Sequence, residues 1–185
     1  MSQNPMQIAV IVGSLRKQSM NRQLATALAR LAPVGVEFNQ LEIGDLPLYN
    51  QDDDAQQAAT VQRFKAQVSA SHGLLFVTPE YNRSIPGVLK NAIDHGSRPY
   101  GHNSWTGKPA GIVGLSPGST GTAMAQQHLR NVLVAVGVVT LPQPEVFLQH
   151  KEGLFDANGD IGEASKGFLQ GWMATYVGWV RQFAG

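Results

Sequence analysis

Residues 13–22 read Gly-Ser-Leu-Arg-Lys-Gln-Ser-Met-Asn-Arg, a run of small, hydroxyl, amide and cationic side chains that opens directly onto a helical pattern. Backbone N–H groups at a helix N-terminus, two serine hydroxyls, an asparagine amide and a guanidinium together suit a phosphate dianion, and the helix dipole favours negative charge at the same place. The stretch lacks the three glycines of the dinucleotide fingerprint and the Gly-Lys-Ser/Thr ending of a P-loop. The anion it implies is therefore a mononucleotide phosphate held mainly by side chains. The alternative is an ordinary capped turn with Arg16 and Lys17 in solvent.

A second polar stretch, residues 79–91, reads Pro-Glu-Tyr-Asn-Arg-Ser-Ile-Pro-Gly-Val-Leu-Lys-Asn. Pro79 and Pro86 fix the backbone at its two ends, and rigid amides are what recognition of a flat heterocycle edge through main-chain groups requires. Tyr81 is placed to stack on such a ring or to wall it; Lys90 and Asn91 read as scaffold. A third stretch, residues 116–122, holds two decoys. Ser119-Thr120-Gly121-Thr122 looks like a phosphate loop but follows the fourth strand, not the first, and reads as a wall of the pocket. Gly114-Leu115-Ser116-Pro117-Gly118 matches the nucleophile elbow of hydrolases, yet that elbow needs a backbone N–H after its serine and Pro117 has none. No histidine follows Asp156 or Asp160 to complete a triad. The five histidines show no metal-ligand spacing, and Asp52, Asp53 and Asp54 read as a solvated loop that caps the second helix.

The elements that must position these stretches alternate along the chain. Residues 8–12, 73–78 and 110–115 are continuous apolar runs, as strands of a parallel sheet covered on both faces require. Residues 36–43 alternate like a half-covered edge strand, and residues 138–141 supply a fifth. Helical spacing fills 21–31, 55–71, 86–95 and the stretch through Met124, Leu129, Leu133 and Val136. After a tight turn at Asn158-Gly159, a closing helix carries Ile161, Ser165, Phe168, Trp172, Tyr176, Trp179 and Phe183 on one face. Five strands at crossover spacing predict an α/β fold, a three-layer flavodoxin-like arrangement with a five-stranded parallel sheet in order 2-1-3-4-5 and helices on both faces. That order puts ligands at the C-terminal ends of the first and third strands, where the polar stretches lie.

Composition narrows the chemistry. The 185 residues predict a single domain over 1–185. Fourteen Lys and Arg against thirteen Asp and Glu, net charge +1, give no electrostatic case for nucleic acid or a membrane surface. The absence of cysteine excludes disulfides, thiolate metal sites and a cysteine nucleophile, so redox chemistry requires an organic cofactor. With no signal pattern at the N-terminus and no apolar run near the ~18 residues of a span, the expected location is cytoplasmic.

Gly13-Ser-Leu-Arg-Lys-Gln-Ser-Met-Asn21, followed by Pro79-Glu-Tyr-Asn82 and Ile85-Pro-Gly-Val-Leu-Lys-Asn-Ala-Ile-Asp94, resembles the NADPH-dependent FMN reductase family, flavodoxin-like oxidoreductases that include bacterial quinone, chromate and azo reductases. The resemblance runs from the first strand through the closing helix. It implies bound FMN, NADPH or NADH as co-substrate, and ping-pong hydride transfer from NAD(P)H to FMN and on to a quinone or similar small acceptor. It further implies a homodimer or homotetramer with the site near a subunit interface. Ser14, Arg16, Ser19, Met20 and Asn21 would then hold the FMN phosphate and ribityl chain. Glu80, Tyr81 and Asn82 would meet the isoalloxazine edge with Pro79 and Arg83 adjoining, and Ser116 would sit beside the ring. No residue is assigned a catalytic acid, base or metal-ligand role, because the flavin carries the chemistry. A non-catalytic flavin-binding electron carrier is the alternative from another functional class.

Overall fold

A computed structural model describes residues 4–183. Strands β1 (Met6–Val12), β2 (Val36–Gln40), β3 (Gly73–Val77), β4 (Pro109–Ser116), β5 (Val139–Thr140) and β6 (Val146–Gln149) form one sheet, ordered β2-β1-β3-β4-β5 with β6 also on β4. Every pairing is parallel. Helices α1 (Met20–Arg30), α2 (Ala59–Ala70), α3 (Gly87–Ser97), α4 (Ala123–Ala135) and α5 (Glu163–Phe183) make the connections and the cover.

Side-chain alternation along the inner strands sorts the core into two layers. Ile8, Val10, Val12, Leu75, Val77, Val113 and Leu115 point into a cluster with α1 and α5. Ala9, Ile11, Leu74, Phe76, Ala110 and Ile112 point the other way, against α2, α3, α4 and Trp105. The expected order 2-1-3-4-5 with helices on both faces is what forms.

Four local expectations change. The second strand stops at Gln40, although Leu41 and Ile43 are still buried. The acidic run does not cap the second helix: Asp52, Asp53 and Asp54 lie in a 3₁₀ helix, Gln51–Gln56, whose N-cap is the Asn50 side chain, while α2 starts beyond Ala58 with no side-chain cap. Carboxylates there complement the positive end of the short helix. The fifth strand is broken in two; β5 pairs only with Pro109 and Ala110, and β6 continues along Val113 to Ser116. Pro142 and Pro144 lie in the gap, where they cannot donate to a ladder. On α5 the buried stripe is Leu169, Trp172, Met173, Tyr176, Val177 and Val180, whereas Phe168 and Phe183 are exposed. Tyr176 anchors that helix: its hydroxyl, fully buried and pushed up in pKa by burial, donates to the Leu74 carbonyl at 2.7 Å.

Candidate functional site

The connections after β1, β3 and β4 share the C-terminal edge of the sheet. Behind β1 the chain leaves its ladder at Gly13, whose N–H still donates to Val77. The backbone N–H groups of residues 14–18, and of Met20 and Asn21 in the first turn of α1, make no hydrogen bond to any described residue. Ser19 caps the helix, its hydroxyl accepting from the Arg22 N–H at 3.2 Å. Ser14 is buried among these donors, Arg16 and Lys17 are exposed and Met20 is half-buried. Arg16, Lys17 and Arg22 make no side-chain hydrogen bond or ion pair among the described residues, and the Arg22 Nε is buried without a partner. A row of free amides flanked by uncompensated cations is an anion site by its donor chemistry.

Asn21 differs from its neighbours. Its carboxamide donates to the Leu115 carbonyl at 2.8 Å and accepts from the Leu115 N–H at 3.0 Å. It is buried and joins the start of α1 to the end of β4. This side chain braces the loop, with its amide directed at β4.

The connection after β3 is a two-residue turn. Tyr81 and Ser84 exchange N–H···O bonds of 3.0 Å in both directions, and the central residues Asn82 and Arg83 have φ of 52° and 62°. Positive φ at both central positions defines the type I′ turn, which normally recruits glycine or asparagine. The rigidity expected from the flanking prolines thus comes largely from the turn, which leaves the Asn82 and Arg83 N–H groups without a partner among the described residues. Pro79 is buried, and Tyr81 is 51% exposed. The Glu80 carboxylate turns away from the tip and accepts from the Ala125 N–H at 3.0 Å, in the first turn of α4. Arginine at a left-handed position carries a cost of about 1–2 kcal/mol, so Arg83→Gly is expected to raise the stability of the ligand-free protein by up to about 1 kcal/mol after glycine's own entropic cost. Urea unfolding measures this, and an unchanged or lower midpoint would mean the turn is unstrained at Arg83.

After β4, the Ser116 hydroxyl donates to the Gly121 carbonyl and closes its own loop, as a wall would. Residues 117–120 are exposed. The roots of the three connections meet at Gly13, Thr78, Gly114 and Thr122. A Cβ on Gly13 would stand 2.7 Å from Thr78 Oγ1, and one on Gly114 would overlap the Thr122 hydroxyl and the Thr78 carbonyl.

The predicted residues are thus brought to one sheet edge, with Arg16 exposed, Ser14 buried beside the unpaired amides, and Asn21 and Glu80 serving as braces. Sequence reasoning gave no site role to Thr78 or to His128, whose Nδ1 lies 3.0 Å from Ser84 Oγ, and read Gly114 and Thr122 only as parts of the two decoys. Their packing role carries no sequence signal, because it is contact between distant segments. A cavity of about 310 Å³ lined by Tyr49, Asp54 and His95 lies apart from these loops. Among the described residues, no group of three or more His, Cys, Asp or Glu side chains is disposed to hold a metal ion, and no helix is long and apolar enough to cross a membrane.

Comparison with known proteins gives the arrangement its context. The sequence model described as NADPH-dependent FMN reductase matches residues 6–153. A 2-hydroxy-1,4-benzoquinone reductase from a Burkholderia species is 51% identical over 177 residues, 95% of this chain and 97% of that one. A quinone reductase of Pseudomonas putida is 46% identical over 175 residues, 94% of each chain. The solved structure of a flavoenzyme NAD(P)H:(acceptor) oxidoreductase from Paracoccus denitrificans superposes with a TM-score of 0.92 at 46% identity, covering 96% of this chain and 98% of that one.

Proposed function

Since the chain belongs to the NADPH-dependent FMN reductase family, we propose that it passes electrons from NAD(P)H, through FMN, to a quinone or a similarly small acceptor. It is an FMN-dependent NAD(P)H oxidoreductase. The observation that carries the site assignment is the run of amides from 14 to 18, unpaired among the described residues, beside Arg16, Lys17 and Arg22, which have no acidic partner there.

FMN, when bound, supplies the hydride chemistry, and the chain supplies binding, orientation and electrostatics. Ser14, the amides of residues 14–18 and Arg16 would hold the phosphate, while Ser19 fixes where α1 begins and Met20 lies in its first turn. Asn21 keeps that turn in register with β4. The free N–H groups of Asn82 and Arg83 would serve a bound flavin as fixed donors. Tyr81 would wall the ring, with Pro79 and Ser116 adjoining. Glu80 acts through α4.

The relatives named quinone reductase support a quinone acceptor. Tyr81 and residues 117–120 are exposed at the mouth, which fits a homodimer or homotetramer in which a second copy completes the wall. A cytoplasmic location belongs to the same reading.

An absorption spectrum of the freshly purified protein followed by anaerobic addition of NADPH tests the reading. Flavin bands that bleach are expected. Bands that persist would point to an electron carrier, and a colourless protein that FMN does not reconstitute would overturn the phosphate assignment.

A further inference from the structure

The turn that carries the free Asn82 and Arg83 amides has two residues in the left-handed region, neither of them glycine. Such conformations persist only where the surroundings over-determine them. Two contacts do so here, and both come from the first two turns of one helix. Glu80 Oε2 takes the Ala125 N–H at 3.0 Å, and Ser84 Oγ meets His128 Nδ1 at 3.0 Å. Ala125 and His128 are three apart on α4, the first offering a backbone N–H at the start of the helix and the second its exposed ring. Glu80 and Ser84 flank the turn, so the helix grips it on both sides. The Glu80 contact is reinforced by the positive end of the α4 dipole.

We propose that α4 sets the pose of the Tyr81 to Ser84 turn through this two-point clamp, with Glu80 and His128 as positioning residues. The clamp rests on the FMN reading only for its functional consequence; its structural consequence stands in the ligand-free protein. The Tyr81 and Ser84 amides, bonded across the turn, report on it directly.

The test measures amide hydrogen exchange at Tyr81 and Ser84 in the ligand-free protein, FMN affinity by fluorescence titration, and urea unfolding. The variants are His128→Ala, Ser84→Ala and His128→Asn, since an asparagine places a polar atom near the position of Nδ1. Both alanine variants are expected to speed exchange at the two amides about tenfold and to weaken FMN several-fold, with the urea midpoint held; His128→Asn is expected to restore both. Wild-type exchange in the alanine variants would overturn the clamp, as would faster exchange that only tracks a global loss of stability. Faster local exchange with asparagine rescue, in a wild-type protein that takes up no FMN, would sustain the clamp and remove the FMN reading.

Discussion

Gly114→Ala is expected to cost about 3 kcal/mol of folding stability, the upper end of what an overpacked core position costs. The reason lies in what surrounds the missing side chain. A Cβ at this position would overlap the Thr122 hydroxyl and, on another side, the Thr78 carbonyl. The hydroxyl belongs to a side chain, but it accepts from Gln126 Nε2 at 2.9 Å and is fully buried, so it has nowhere to rotate freely. The carbonyl is backbone, and the Thr78 N–H is tied to Val113 at 3.0 Å. Relief therefore requires β3 and β4 to move apart at their C-terminal ends. Adding Thr122→Ala should recover only part of the loss, because the Thr78 carbonyl remains. Urea unfolding followed by circular dichroism measures both; a midpoint for Gly114→Ala equivalent to within about 0.5 kcal/mol of wild type would show slack where the packing indicates none.

The same corner explains what the sequence could and could not reveal. The strands were legible because the apolar runs within residues 8–12, 73–78 and 110–115 are covered on both faces, which only a sheet covered twice demands. The broken fifth strand was not, because residues 138–141 alone satisfy the pattern and the partner stretch Val146–Gln149 is too short to announce itself. On α5, Phe168 and Phe183 match the helical period yet face outward, since periodicity counts apolar residues without knowing which arc meets the sheet.

At the site, composition located the loops but could not give direction to the side chains within them. Asn21 and Glu80 carry polar groups suited to a ligand, and both turn them to the protein, one to Leu115 and the other to Ala125. The left-handed backbone at Arg83 is equally invisible, because nothing but a fold held from outside places arginine there. The outcome is a division of labour. Buried polar side chains brace the connections to one another, and the backbone amides and exposed cations left over are free for a ligand.

That division predicts how Arg16→Ala should behave. The guanidinium is exposed and makes no hydrogen bond or ion pair with any described residue, so its removal should leave folding stability unchanged. A charge-assisted hydrogen bond to phosphate is worth about 1.5–3 kcal/mol, which corresponds to a rise in the FMN Kd of roughly ten- to 150-fold. Binding should weaken without vanishing, because the amides of residues 14–18 share the load. An exposed ion contact is screened, so the gap between variant and wild type should narrow as salt rises from about 0.05 to 0.5 M. Lys17→Ala is the control: it removes the same charge one residue away, and as a flexible point charge it should move the Kd far less than the planar, bidentate guanidinium. Equal losses from the two substitutions would mean that the loop attracts phosphate through net field alone. An unchanged Kd for Arg16→Ala, with flavin still bound, would leave the backbone amides to hold the phosphate and take Arg16 out of the site.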